Sequence, residues 1–533
     1  MLARLAGGGT MKRRTFLAAG ASTLAAPIVG RAQDARVLRM VPQANVTSID
    51  PIWTTAIVTR NHAYIVYDTL FGLDADLQPQ PQMATGYQVE QDGRKVTIAL
   101  REGLRFHDGT PVLARDCVAS IRRWAARNGF GQTLMAATDE IGHDGDTNIV
   151  FRLKAPFPLL PNALASVSQP AFIMPERIAQ TDPFKQITDA TGSGPFRWKA
   201  DEFNSGSLMV YERHAGYAPA PGAPSLTAGG KVAHFDRVEW QIIADGATAA
   251  AALQNGEIDW YEQPPPELQQ LLARNRNIVV EGLDRFTNPA ILRMNHLQPP
   301  FDDVEVRRAV LPAIIQSDFM AAIAGDDPAN YDDRCGIFTP GTPMATDAGM
   351  EVLTAPRSIG KARAALKAAG YSGAKVRLIG PTDILAPSAI TQVAADLLPR
   401  IGFNVDLALS DWGTVIQRRV SREPVDKGGW SVLLTTFSSF DNADPAALQP
   451  LRANGVGAWF GWPSIPKLEE LRAAWFAAPD AQVRKALCAE MQRVALDQVA
   501  YVPVGSYRSM TSFRRNLTGR VLGFPILWNI RKT

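Results

Sequence analysis

Six histidines, His62, His107, His143, His214, His234 and His296, could carry metal or acid–base chemistry, but they are scattered without ligand spacing. The chain has no G-x-S-x-G, no H-E-x-x-H and no Cys-x-x-Cys, so nucleophilic, zinc-peptidase and dithiol chemistry all lack their arrangements. Gly455-x-Gly457-x-x-x-Gly461 misses the dinucleotide spacing by one residue and has no strand–turn–helix around it. Thr191-Gly192-Ser193-Gly194-Pro195-Phe196 is glycine-rich, but no lysine follows to hold a phosphate. His107-Asp108-Gly109 reads as a turn, because aspartate bonds its own backbone and glycine tolerates positive φ. What remains is recognition chemistry. At the level of single residues its clearest candidate is the aromatic run Trp459-Phe460-Gly461-Trp462-Pro463, three aromatics in five residues around a glycine. A carboxylate in a dry cleft suits a cation, since the charge-assisted bond is strong there and uncharged ends are rejected.

The elements that must position these residues follow from periodicity. Val96, Ile98 and Leu100 alternate along a strand over 95–100. Thr110-Pro111 then predicts a helix start, a hydroxyl cap followed by a proline at the first helical position. Ala114, Cys117, Val118, Ile121, Trp124 and Ala125 form its apolar stripe. Strands are expected at 37–41, 235–243, 376–379 and 405–409. Helices are expected at 247–253, at 361–369 with Ser358 as cap and Gly370 as stop, before Pro399, and from Pro479 to about Val499. Asp302 or Asp303 can cap a helix with Val306, Ala309, Val310, Ala313 and Ile314 on one face. The alternation of strands and helices predicts α/β lobes with mostly parallel pairing. A chain of 533 residues, 46% hydrophobic and 20% charged, has material for two or three domains.

Residues 1–32 read as a targeting segment. Lys12-Arg13-Arg14-Thr15-Phe16-Leu17 leads into an apolar run to Gly30, and Gly30-Arg31-Ala32 is a small-residue cleavage site. The Arg-Arg-x-Phe-Leu core resembles a twin-arginine signal. This segment holds five cations and no acid, so its removal takes the net charge from +3 to −2. No concentrated basic stripe remains to support nucleic-acid binding. Cys117, Cys335 and Cys488 are odd in number, so at least one is unpaired, and none lies at the cleavage site to carry a lipid. The expected product is soluble and periplasmic.

Leu100-Arg101-Glu102-Gly103-Leu104-Arg105-Phe106-His107-Asp108-Gly109-Thr110-Pro111, then Ala114 and Asp116, resembles the signature of the solute-binding proteins of peptide- and nickel-type ABC importers, the dipeptide- and oligopeptide-binding proteins. Thr191–Phe196, Ile49-Asp50-Pro51 and the run from Pro300-Phe301-Asp302-Asp303 to Val306-Arg307-Arg308-Ala309 resemble further family segments. The resemblance covers nearly all of 36–533. It implies an α/β, two-lobed periplasmic-binding-protein-like fold with an extra small subdomain in the first lobe. The implied division places lobe I at 33–72, 190–282 and 495–533, the small subdomain at 73–189 and lobe II at 283–494.

The ligand is then expected between the lobes, a favoured place for small-molecule sites. Asp411-Trp412-x-Thr414 and Arg419 resemble the family's E-W-x-T-x-x-x-x-R, which implies Trp412 as a pocket wall and Arg419 as a cleft cation. Thr435–Pro445 corresponds to G-W-x-x-D-x-x-D-P, with Phe437 in place of the tryptophan and one residue more, which leaves Phe440 beside the key position. The resemblance assigns the ligand's ammonium group to Asp441. Asn442 and Trp459 complete the expected binding set with Phe437 and Phe440. The implied function is capture of a peptide-like solute and its delivery to an ABC permease and ATPase in the inner membrane, by a monomer without cofactor, metal or catalytic residue. The alternatives are a non-peptide solute, such as a nickel chelate, opine, haem or sugar, and an exported hydrolase using the same cleft.

Overall fold

Val37–Val41 buries Leu38, Met40 and Val41 and runs parallel to both of its neighbours, Arg237–Gln241 and Trp260–Tyr261. In a computed structural model describing residues 36–533, this strand is the middle of a seven-stranded sheet. Its strands lie in the order 196–198, 208–213, 237–241, 37–41, 260–261, 510–514, 278–282. Leu38, Met40, Trp240, Trp260 and Trp528 pack together as the core of this first lobe. The expected leader, residues 1–32, lies outside the described residues.

The second lobe has a six-stranded sheet in the order 331–332, 502–507, 288–294, 432–436, 375–381, 404–410. The expectation of mostly parallel pairing fails here. Only the pairs that Lys375–Pro381 makes with Asn404–Ser410 and Val432–Thr436 are parallel. The chain enters this lobe along Asn288–Met294 and leaves along Val502–Tyr507, so the entering and leaving strands lie side by side in opposite directions. For the same reason the tail does not rejoin the first lobe at residue 495. Val502 and Val504 are fully buried in the second core, Gly505 (φ +110°) lies where a Cβ would come 2.5 Å from Met320, and the return begins at Met510–Arg514.

Two short crossings join the lobes, residues 283–287 and 508–509. They are bonded to each other by Leu283 N–H donating to Ser509 O at 2.8 Å. Asp284 in the longer crossing accepts from the Ser439 hydroxyl, and burial raises its carboxyl above the usual range.

A third sheet, antiparallel, orders Ala84–Glu90, Lys95–Leu100, Asn148–Leu153 and Thr138–Asp144. The helix after its signature strand starts at Ala114, later than Thr110-Pro111 predicts. Asp108 takes both the N–H and the hydroxyl of Thr110, and Pro111 forms a bridge with Arg105, so neither can open a helix. Asp116 caps the true start by accepting from Leu113 N–H at 2.8 Å. The two glycine-bearing landmarks meet. His107 accepts from Gly192 N–H through Nδ1, its Nε2 lies 3.2 Å from Gly194 O, and burial lowers its pKa to about 3. A Cβ at Gly192 would come 2.0 Å from Val66 O, so this contact requires glycine. The apolar core of the small sheet continues into the second lobe, where Phe130 lies 5.5 Å and Phe157 6.2 Å from the ring of Phe476.

Elsewhere local signals hold. Ser358 caps Ile359–Ala368, and Asp303 caps the short helix Val304–Arg308, which Pro312 keeps from extending. Leu385–Ile401 runs through Pro399, which sits in the last turn and forfeits a single bond. The three cysteines are buried free thiols.

Asp50 and Arg123 join the first lobe to the small sheet's helix. Their two bonds are 2.7 and 3.1 Å, both side chains are almost fully buried, and Asp50 also accepts from Ile52 and Ile187 N–H. Removing one partner strands a buried charge. Asp50→Ala should therefore lower the unfolding free energy by about 3–5 kcal/mol, read from the urea midpoint.

Candidate functional site

Val432–Thr436 is a buried central strand that ends at the crevice between the lobes. The chain then tightens into the turn Ser439–Asn442. The Asp441 carboxylate closes this turn by accepting from Ser438 N–H at 2.9 Å through Oδ2, and Oδ1 has no protein partner among the described residues. The Ser438 hydroxyl accepts from Arg60 of the first lobe at 3.1 Å. Asp441 is therefore set at a point where the lobes touch.

Asp411 caps the helix Trp412–Arg418 by accepting from Thr414, so the first helical side chain, Trp412, faces the crevice and Arg419 follows at the far end. The Arg419 guanidinium is buried at 5% exposure. It lies 4.5 Å from the ring of Phe460, 5.7 Å from Trp459 and 5.9 Å from Trp412. Among the described residues its single side-chain hydrogen bond, 3.5 Å to the Thr55 hydroxyl, crosses to the first lobe, and Nε has no partner. Among the described residues no carboxylate lies within ion-pairing distance. Burial lowers its pKa to about 9, which leaves it cationic at neutral pH.

The aromatic loop beneath Arg419 is held by a second buried guanidinium. Arg293 donates to the carbonyls of Phe460, Trp459, Pro450 and Ala500 at 2.6–3.2 Å. Gly461 (φ +94°) passes so close that a Cβ would come 2.6 Å from Met294 O.

Trp412, Arg419, Phe437, Asp441 and Trp459 line one cavity, bounded from the other lobe by Gln43 and residues 55–58. Phe440 and Asn442 are not brought there. A 3₁₀ turn fans successive side chains apart. Phe440 enters the first lobe's core opposite Phe286, and Asn442 is buried with its side-chain amide unpartnered among the described residues. Sequence reasoning missed Thr55, Ile384, Pro387 and Ile416 in the lining. Only Ile416 carried a signal, lying one helical turn after Trp412. Among the described residues no group of three or more His, Cys, Asp or Glu could hold a metal ion, and no helix is long and apolar enough to cross a membrane.

Known proteins share the two-lobed frame with this chain. Bacterial extracellular solute-binding proteins, family 5 (middle), match residues 78–459. The chain belongs to this family. It is the solute-binding component of an ABC importer and not an enzyme. It is 39% identical over 534 residues to the probable peptide ABC transporter periplasmic-binding protein y4tO of Sinorhizobium fredii, covering 98% of this chain and 100% of the relative. It is 27% identical to the glutathione-binding protein GsiB of Pectobacterium atrosepticum, with 96% of each covered. The fold superposes on the crystal structure of a dipeptide-binding protein from Pseudoalteromonas sp. SM9913 in complex with Met-Leu, with a TM-score of 0.77, 21% identity, and 93% of this chain and 100% of that chain covered.

Below the cavity, Glu262 accepts from Gln43 N–H at 2.7 Å through one oxygen, while the other has no partner among the described residues. Burial raises its pKa to about 7, opposed by the nearby Arg60 charge. The folded state therefore holds a proton that the unfolded chain has lost above about pH 4.3. Stability from this group is full below that pH and declines as pH rises to about 7. Glu262→Gln should remove this decline, so that the variant melts higher relative to the native protein at pH 8 than at pH 5. Equal differences at both pH values would contradict it.

Proposed function

We propose that the solute is peptide-like, with a free ammonium and a free carboxylate, and that the two lobes close over it and pass it intact to an inner-membrane permease and ATPase. One observation carries this reading. The cavity exposes a carboxylate and a guanidinium that make no ion pair with each other, so one charge of each sign is left for a zwitterion. Asp441 Oδ1 takes the ammonium group, and Arg419 takes the carboxylate. Both bonds are charge-assisted and shielded from water, which makes them strong and selective. Trp412, Trp459 and Phe437 supply the apolar walls that a peptide backbone and side chains need.

The names of the relatives, one a peptide transporter's binding protein and another a glutathione-binding protein, support a peptide-like guest. The basic, then apolar, leader of residues 1–32 supports export to the periplasm, with cleavage near Ala32 by a twin-arginine-type route.

Calorimetry with a short peptide in free, N-acetylated and C-amidated forms tests the reading. Each block should weaken binding by about 10- to 100-fold, the effect of one hydrogen bond to a charged group. Asp441→Asn should weaken only peptides with a free amine, and Arg419→Met only those with a free carboxylate. Equal affinity for free and blocked peptides would refute the assignment.

A further inference from the structure

The interlobe cavity does not end at Asp441. A second compartment adjoins it and shares Thr55, Phe437, Asp441 and Trp459 with the first. Its far wall comes from the small-sheet region, through Asn128, Phe130, Ser166, Ser168 and Gln169, and Gln449 closes it from the second lobe. Its lining has no cation, and its single carboxylate is the shared Asp441. Several neutral polar groups there are unused. The Ser168 hydroxyl is buried without a partner, and the Ser166 hydroxyl, the Gln169 amide nitrogen and the Gln449 amide make no hydrogen bond among the described residues. Asn128 is already engaged, capping Gly129–Ala137 through its oxygen and donating to Gln169.

We infer that this compartment is a subsite for an uncharged, hydrogen-bonding side chain on the first residue of the guest. The inference rests on the peptide reading above and goes one step further. Ammonium and side chain share one carbon. With the ammonium at Asp441 and the backbone running towards Arg419, the side chain is the group left to enter the second compartment. The buried Ser168 hydroxyl is costly without a partner, and a guest amide or hydroxyl offsets that cost. A charged side chain loses its water there and finds no opposite charge that is not already engaged. Phe130 provides a flat apolar wall for the methylene part of such a side chain.

Calorimetry of the full chain with Gln-Ala, Ala-Ala and Glu-Ala decides it. Gln-Ala should bind about tenfold more tightly than Ala-Ala, as two net hydrogen bonds would give, and Glu-Ala more weakly than either. Ser168→Ala and, separately, Gln449→Ala should each reduce the preference for Gln-Ala and leave Ala-Ala within about twofold of its native value. These variants come from opposite walls, so a folding defect in one leaves the other as a test. Equal binding of Gln-Ala and Ala-Ala, or a preference that survives in both variants, overturns the subsite and leaves the peptide reading standing. Binding of none of the three dipeptides overturns both.

Discussion

A guanidinium removed from water and given no anion is the constraint around which the cleft is built. Stripping such an ion of its hydration costs several kcal/mol, about what a well-placed anion restores. Arg419 meets that cost only in part, through three aromatic faces and one long bond to Thr55. The aromatic cage must hold its shape for this to work. Arg293 supplies that stiffness by fastening four carbonyls around the loop, all four bonds going to the backbone. Two arginines thus share one loop. One has its hydrogen bonds satisfied by the chain and serves as a strut, and the other is left short of partners and serves as bait.

The same logic joins the lobes. Arg60 reaches Ser438, and Ser438 shares its turn with Asp441, so the anchor for a positive group is also a contact between halves. Phe440, one residue earlier, is inserted into the opposite core. The small sheet takes part as well, because its core merges with the second lobe through Phe130, Phe157 and Phe476. Closing the crevice therefore buries apolar surface at two places and isolates charge at one.

Much of this was legible in the order of residues, where the cause is local. The Ser358 cap, the left-handed Gly256 after Gly246–Asn255 and the alternation of Val37–Val41 are decided within a few residues of where they occur. Trp412, Arg419 and Asp441 could be named because a family pattern marks them. Other features depend on distant partners. Thr110 looked like a helix cap until Asp108 claimed its hydroxyl, and the tail strand belongs to the second sheet because Val502 and Val504 fill that core. Thr55 and the helix start that carries Ile384 and Pro387 reach the cavity from two distant segments, a convergence no spacing rule encodes. Arg293 did leave a trace, as a lone cation in the buried strand Asn288–Met294.

The two tethers between the halves are unequal. The stretch 508–509 has almost no slack, while 283–287 has several rotatable bonds to spare, and a hydrogen bond from Leu283 to Ser509 straps one to the other. A body held this way cannot slide its halves past each other like plates. It must swing about an axis pinned at the tighter strap, like a book on its spine. The rim furthest from the spine travels furthest.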